Sequence, residues 1–185
     1  KALVQEIPAS LLNNSSMDVR VALQCLWKPL FRWRDPTVVV VVHADMLQSG
    51  DPEALKRQAQ MIRGKINIVS RIRKKPVAVR LAVTSADSLP GYAPFFTFLR
   101  RQGKPLALTF ATPSDLAQIR TCLEPYEDLL PQALTTLPAE DYLNILSFFK
   151  KMPDLLETLS PFIQILQNPD PLSPAPELHQ VFLTS

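Results

Sequence analysis

Thr37-Val38-Val39-Val40-Val41-Val42-His43-Ala44 is the stretch on which the fold turns. Five consecutive β-branched residues suit a pleated surface better than a helix. A strand without polar alternation is what burial on both faces looks like, as in a parallel sheet covered by helices. The run therefore predicts a central strand, because five valines on a bare edge would invite pairing with other chains.

Outward from this run, strand and helix signals alternate. On its carboxyl side Asp51-Pro52-Glu53 opens a helix, with Ser49 or Asp51 as cap and acids in the first turn. That helix is predicted to reach about Arg73, with Leu55, Ala59, Ile62, Ile66 and Val69 or Ile72 inward, and Pro76 ends it. A second strand is read over 77–84, a loop over 85–91, an aromatic helix over 92–101 and a third strand over 105–110. Thr112-Pro113-Ser114-Asp115 then opens another helix. On the amino side, residues 2–5 are expected to pair beside the valines. A helix is read over 17–32, with Val19, Leu23, Leu26, Trp27 and Leu30 at helical spacing before Asp35-Pro36 breaks it.

This alternation predicts an α/β fold: a three-layer parallel sheet with strands 37–43, 77–84 and 105–110 in adjacent positions. Beyond Pro125 the pattern changes. Two amphipathic stretches, 139–151 and 153–167, predict a C-terminal helical hairpin, followed by the linker Asn168 to Pro176 and an extended piece over 178–184. The expected organisation is an α/β unit over 1–125, with the hairpin and tail of 126–185 packed on it.

Eighteen prolines against four glycines suit helices with stiff starts and stops better than tight hairpins. No apolar run is long enough to span a bilayer. Cys25 and Cys122 match no metal spacing and are expected to be buried free thiols in a reducing compartment. The chain opens at Lys1 without an initiator Met and is expected to be a piece of something longer. Its net charge of +3 is unevenly spread. Residues 54–86 carry nine basic and no acidic residues, whereas residues 121–185 carry two basic and nine acidic. Opposite signs in two regions suggest self-complementarity or two different partners.

Ligands of parallel sheets bind in loops at the carboxyl ends of the strands. Those loops fall at 7–10, 43–50, 84–91 and 110–114. None carries a nucleophile elbow, a metal-ligand cluster or a Gly-x-x-x-x-Gly-Lys-Ser/Thr phosphate loop. His43 and His179 lack partners at ligand spacing and are expected to be structural. No catalytic residue, metal or cofactor is expected. Lys56, Arg63, Arg71, Arg73, Lys74 and Lys75 on the basic helix form a candidate docking surface. Aromatic residues do not interleave with them, so nucleic-acid binding has no support.

Several segments together resemble the cytoplasmic domain of the IcmF/TssM family. They are Trp27; the Arg32 to Pro36 turn; the valine strand; Ala44-Asp45-Met46-Leu47; Gly91-Tyr92-Ala93-Pro94-Phe95-Phe96; Lys151-Met152-Pro153; and Val181-Phe182-Leu183-Thr184-Ser185. The resemblance implies the second half of a P-loop-GTPase-like fold. It places Thr84-Ser85-Ala86-Asp87 on the guanine-recognition signature, with Asp87 a weak candidate for a guanine contact and Ser85 where a Lys would pack over the base. The favoured reading of Asp87 is as a turn or helix-capping residue before Ser88-Leu89-Pro90-Gly91. It also places Glu6-Ile7-Pro8-Ala9 on the Mg²⁺-side Asp-x-x-Gly. These departures favour a nucleotide-independent scaffold, a pseudo-GTPase; a divergent GTP switch with its phosphate loop upstream of Lys1 is the alternative, and an unrelated α/β module with a basic nucleic-acid face a third. The implied setting is the cytoplasmic face of the bacterial inner membrane, in a type VI or type IVB secretion complex. The implied partners are a DotU/TssL-like protein and other complex subunits, with membrane contact only through segments outside this chain.

Overall fold

The computed structural model describes residues 5–31, 35–104, 108–111, 116–168 and 170–185. A single helical turn, α1 (Ala9–Leu12), precedes α2 (Met17–Phe31), and the valines form β1 (Thr37–His43). A short α3 (Ala44–Gln48) leads to α4 (Pro52–Arg73), which starts where capping chemistry says it should. The Asp51 carboxylate accepts from the Glu53 and Ala54 amides at 3.1 and 3.0 Å, and Pro52 sets the first helical φ. Next come β2 (Ala78–Thr84), a 3₁₀ turn at Ala86–Ser88, α5 (Tyr92–Arg101) and β3 (Leu108–Ala111). Three helices, α6 (Leu116–Glu127), α7 (Leu130–Thr136) and α8 (Ala139–Gln167), then lead to β4 (Glu177–Leu183).

The sheet order is β1-β2-β4-β3. β1, β2 and β4 are parallel, and β3 runs antiparallel to β4. Two expectations are corrected by this order. The stretch over 105–110 does not supply the third parallel strand: residues 105–107 lie outside the described residues, and Leu108–Ala111 pairs antiparallel at the far edge. The C-terminal segment takes the place beside β2 instead. Its seven residues match the length of β2 and bury Leu178, Val181 and Leu183, so they satisfy more backbone groups there than a four-residue strand could.

The valine strand, in turn, is an edge among the described residues and not the centre. Val40 and Val42 are buried, but Val39 and Val41 are 58% and 50% exposed. The expected partner strand at 2–5 lies in residues 1–4, outside the described residues, and Gln5 itself is not in a strand. The expected third layer has no element among the described residues. β1, β2 and β4 step across the sheet in one direction, so right-handed crossovers put their helices on one face. Burial agrees, because Val79, Leu81, Val83, Val181 and Leu183 all lie beneath the helices.

The expected hairpin over 139–167 is the single helix α8, with Pro153 and Pro161 inside it. Each internal proline costs about 3 kcal/mol. Against that cost stand nine buried side chains, including Ile145, Phe149, Met152, Leu156, Leu159, Phe162, Ile163 and Leu166, whose helical spacing runs unbroken past Pro153. Each contributes about 1.5–3 kcal/mol on burial, so the apolar stripe wins. Pro125 likewise sits inside a helix, α6. Cys25, expected to be buried, is exposed on α2; Cys122 has its side chain outside the described residues.

α8 packs on α4 and α5 through an aromatic cluster in which Phe95 meets Phe149 edge-on at 4.9 Å and Phe148 at 6.1 Å. Gly91 sets how closely the two helices approach. It adopts φ +86°, and a Cβ there would stand 2.0 Å from the Asn144 carbonyl oxygen and 2.8 Å from Phe148 Cβ. Gly91→Ala should therefore destabilise the chain by more than about 2 kcal/mol in urea unfolding. Gly64→Ala, mid-helix on α4 with open space around it, should instead stabilise by about 0.5–1 kcal/mol.

Candidate functional site

Three parallel strands end together at one edge of the sheet, where an α/β fold places its ligands. β1 delivers His43 there, β2 delivers Thr84 and Ser85, and β4 delivers Leu183 and Thr184. Ser85 sits in the left-handed region at φ 56°, which turns the chain sharply out of β2 into the 3₁₀ turn. Its hydroxyl lies 3.1 Å from His43 Nδ1, and Gln48 Nε2 donates to Ser88 Oγ at 3.3 Å. The Ala86 amide donates to the Thr184 carbonyl at 3.1 Å, while the Thr184 amide donates to Val83 at 2.9 Å. Tyr92, almost wholly buried, donates its hydroxyl to the Leu183 carbonyl at 3.2 Å. The carboxyl edge is thus laced to Leu183 and Thr184.

Asp87 is exposed within the 3₁₀ turn. It accepts no hydrogen bond among the described residues and caps nothing; its nearest consequence is electrostatic. Burial first, and the charge of Asp87 second, push the Tyr92 phenol up to about 12. The segment Glu6-Ile7-Pro8-Ala9 leads into α1, where the Pro8 carbonyl accepts from the Leu11 and Leu12 amides. His43 is exposed and in register with Thr84 of β2, and His179 is exposed with Nε2 3.8 Å from Glu177. Among the described residues no group of three or more His, Cys, Asp or Glu is placed to hold a metal.

The basic helix does not present its six candidate docking cations on one face. Arg63 is buried and donates to the Asn168 carbonyl at 2.9 Å. Arg71 lies 3.5 Å from Asp170, whose carboxylate also accepts from Asn67 at 2.8 Å. Arg73 leaves the opposite side of α4, donating to the Phe31 carbonyl at 3.0 Å and pairing with Asp35. Lys56 is tied locally to Glu53 at 2.8 Å, while Lys74 and Lys75 stand exposed past the helix end.

Lys65, one of the nine basic residues of 54–86 but not one of the six docking candidates, is buried and donates to the Asn14 carbonyl at 2.6 Å. Burial lowers the pKa of both Arg63 and Lys65; Asp170 opposes the shift at Arg63, and Arg20 adds to it at Lys65. The Leu172 amide, helped by Ser173 and Arg71 and opposed by partial desolvation, holds the Asp170 carboxyl below its usual range. Beside α4 a solvent-open groove of about 590 Å³ is lined by Asn13, Ser15, Met46, Arg57, Gln58 and Met61.

Fold and edge together define a mixed α/β domain built on a mostly parallel sheet, whose carboxyl edge is hydrogen-bonded to Leu183 and Thr184 of β4. The family model for the IcmF-related N-terminal domain matches residues 31–185, and the chain belongs to that family. Its members are inner-membrane subunits of secretion systems; among the described residues, no helix of this chain is long and apolar enough to cross a membrane. No curated protein and no solved structure matches the chain.

The Tyr92–Leu183 bond yields a pH signature. An unfolded tyrosine titrates near 10, and the folded value is raised to about 12. The protonated form is therefore favoured in the folded state: the stabilisation is complete below pH 10 and is lost as pH rises through 12. Urea midpoints of the wild type should fall more steeply between pH 10 and 12 than those of Tyr92→Phe. At pH 7 the variant should be weaker by about 1–2 kcal/mol, having left a buried carbonyl unpaired.

Proposed function

We propose that this domain is a docking unit, without catalysis or cofactor of its own, within a secretion-system inner-membrane complex. The observation that carries the proposal is the closed carboxyl edge. Where a nucleotide-binding sheet would hold its ligand, Tyr92, Ala86 and Val83 are hydrogen-bonded to Leu183 and Thr184. The sequence supplies no amide cradle or lysine for phosphates. The domain then acts as a pseudo-GTPase on the cytoplasmic face, and a DotU/TssL-like subunit is the partner we expect. Exposed cations are the groups free to steer it: Arg57, Lys74 and Lys75, with Arg71 at the margin. Arg63 and Arg73 brace the fold, so they belong to the domain's interior ties.

Capture of a DotU/TssL-like protein by the chain should weaken when Lys74 and Lys75 are reversed to Glu, and should weaken with salt as charge steering does. Capture unaffected by the reversal would remove the cationic surface from the account, and tight binding of arbitrary DNA at physiological salt would point to a nucleic-acid module.

The exposed, unpaired Asp87 favours one second reading, a divergent GTP switch. A lone charge-assisted hydrogen bond supplies only about 1.5–3 kcal/mol. A millimolar complex already needs about 4.1 kcal/mol. Calorimetry with GTP, GDP and Mg²⁺ should therefore give no saturable heat at micromolar nucleotide. Saturable binding abolished by Asp87→Ala would promote the switch.

A further inference from the structure

Three buried polar atoms of α4 have no hydrogen-bond partner among the described residues: Arg63 Nη1, Asn67 Oδ1 and Ser70 Oγ. Spacings of four and three residues put them on one stripe of the helix, with neighbouring Cβ atoms about 5–6 Å apart. Arg63 is 7% exposed and Ser70 is fully buried. The same stripe meets the chain on its way into β4. Arg63 donates through Nη2 to the Asn168 carbonyl, and Asn67 donates through Nδ2 to Asp170 Oδ2 at 2.8 Å.

That last bond fixes the orientation of the Asn67 amide. An ionised carboxylate only accepts, so the amide nitrogen faces Asp170 and the oxygen is left for another donor. The seam therefore holds one donor, Arg63 Nη1, one acceptor, Asn67 Oδ1, and a hydroxyl that can act as either. Buried groups of this kind are seldom left unbonded in a folded protein. All three atoms are shut off from the surface, so no other segment and no other protein can reach them. Whatever completes them is small enough to lie inside.

We propose that an ordered water molecule occupies this seam, accepting from Arg63 Nη1 and donating to Asn67 Oδ1 and Ser70 Oγ. Three bonds are the usual complement of a buried water. Charge selects against the alternatives. A cation would meet the Arg63 guanidinium, and an anion would meet the Asn67 oxygen and the Asp170 carboxylate beside it. Water is neutral and supplies both a donor and an acceptor. It also has a way in: a solvent-open cleft of about 350 Å³ between α4 and α8 is lined by Lys56, Pro161, Gln164, Ile165 and Asn168. Asn168 is the residue whose carbonyl Arg63 holds. With the water in place, the ties from α4 to Asn168 and Asp170 form one closed network in place of two separate contacts. Docking through Lys74 and Lys75 does not depend on it.

The test is water-selective NOE and ROE spectroscopy on the 185-residue chain. A water held for longer than the molecule takes to tumble gives cross-peaks of opposite sign in the two experiments. They should appear at the Asn67 side-chain amide. An exchanging hydroxyl can mimic water, so the same cross-peaks should persist in Ser70→Ala. That variant should also raise the unfolding constant at a fixed urea concentration about five- to tenfold, because a bonded hydroxyl is lost.

Absence of the opposite-signed cross-peaks in the wild type overturns the proposal, and so does their loss in Ser70→Ala, which assigns them to the hydroxyl. An unfolding constant unchanged or lowered in Ser70→Ala shows a hydroxyl with no bond to lose, and overturns the three-bonded water. A high-resolution crystal structure with a protein acceptor on Arg63 Nη1 would do the same.

Discussion

The insertion of β4 between β2 and β3 is the constraint on which the other features depend. A C-terminal strand that enters the middle of a sheet must be held at both ends, and this one is. At its entry, Arg63 of α4 holds Asn168, and Asn67 and Arg71 hold Asp170. At its exit, Tyr92 and Ala86 take the Leu183 and Thr184 carbonyls. Remove the strand and β2 loses a parallel neighbour, β3 loses its only paired strand among the described residues, and the apolar face beneath α8 opens to water. The two more specific pieces of the family resemblance, Gly91-Tyr92-x-x-Phe95-Phe96 and Val181-Phe182-Leu183-Thr184-Ser185, turn out to be the two halves of this one junction. Gly91 lets α8 approach α5, and Tyr92 then reaches the strand end.

The same constraint explains why the positive charge of α4 is less available than its count suggests. A cation on a long helix beside an inserted tail is worth more as a tie to that tail than as a free charge. Arg63 and Lys65 are buried at a desolvation cost that only firm carbonyl acceptors offset. Arg73 does the same for the end of α2. What remains for encounter with a partner lies at the helix ends, where Arg57, Lys74 and Lys75 keep full access to water. Chemistry at the carboxyl edge is limited in the same way, since Tyr92, Ala86 and Val83 are engaged with residues 183 and 184.

Much of the local structure could be read directly. The Asp51 cap, the Arg73 end of α4, the bounds of α5 and the strand after Pro76 all follow from capping, proline placement and periodicity. What could not be read was long-range. Nothing in the four-residue β3 or in Leu178 to Leu183 announces which will lie beside β2, because pairing between distant strands depends on total burial and not on local pattern. Pro153 suggested a break, yet the apolar stripe from Ile145 to Leu166 continues in phase across it and outweighs the lost hydrogen bond. The valines were legible in composition but not in position: they signal two covered faces, and the described residues cover one. At the candidate site the loop and Asp87 were visible in the sequence. The bonds from Tyr92 to Leu183 and from His43 to Ser85 were not, because they join residues dozens of positions apart.

Native-state hydrogen exchange followed residue by residue tests this account most directly. If β4 is an integral central strand, the amides of Gln180 to Leu183 should exchange only by global unfolding, with the same protection and the same urea dependence as those of Val79 to Val83. If the amides of β4 exchange through a low-energy local opening while β2 stays protected, the strand is a detachable tail. The carboxyl edge would then be an open site, and the claim that β4 closes it would be contradicted.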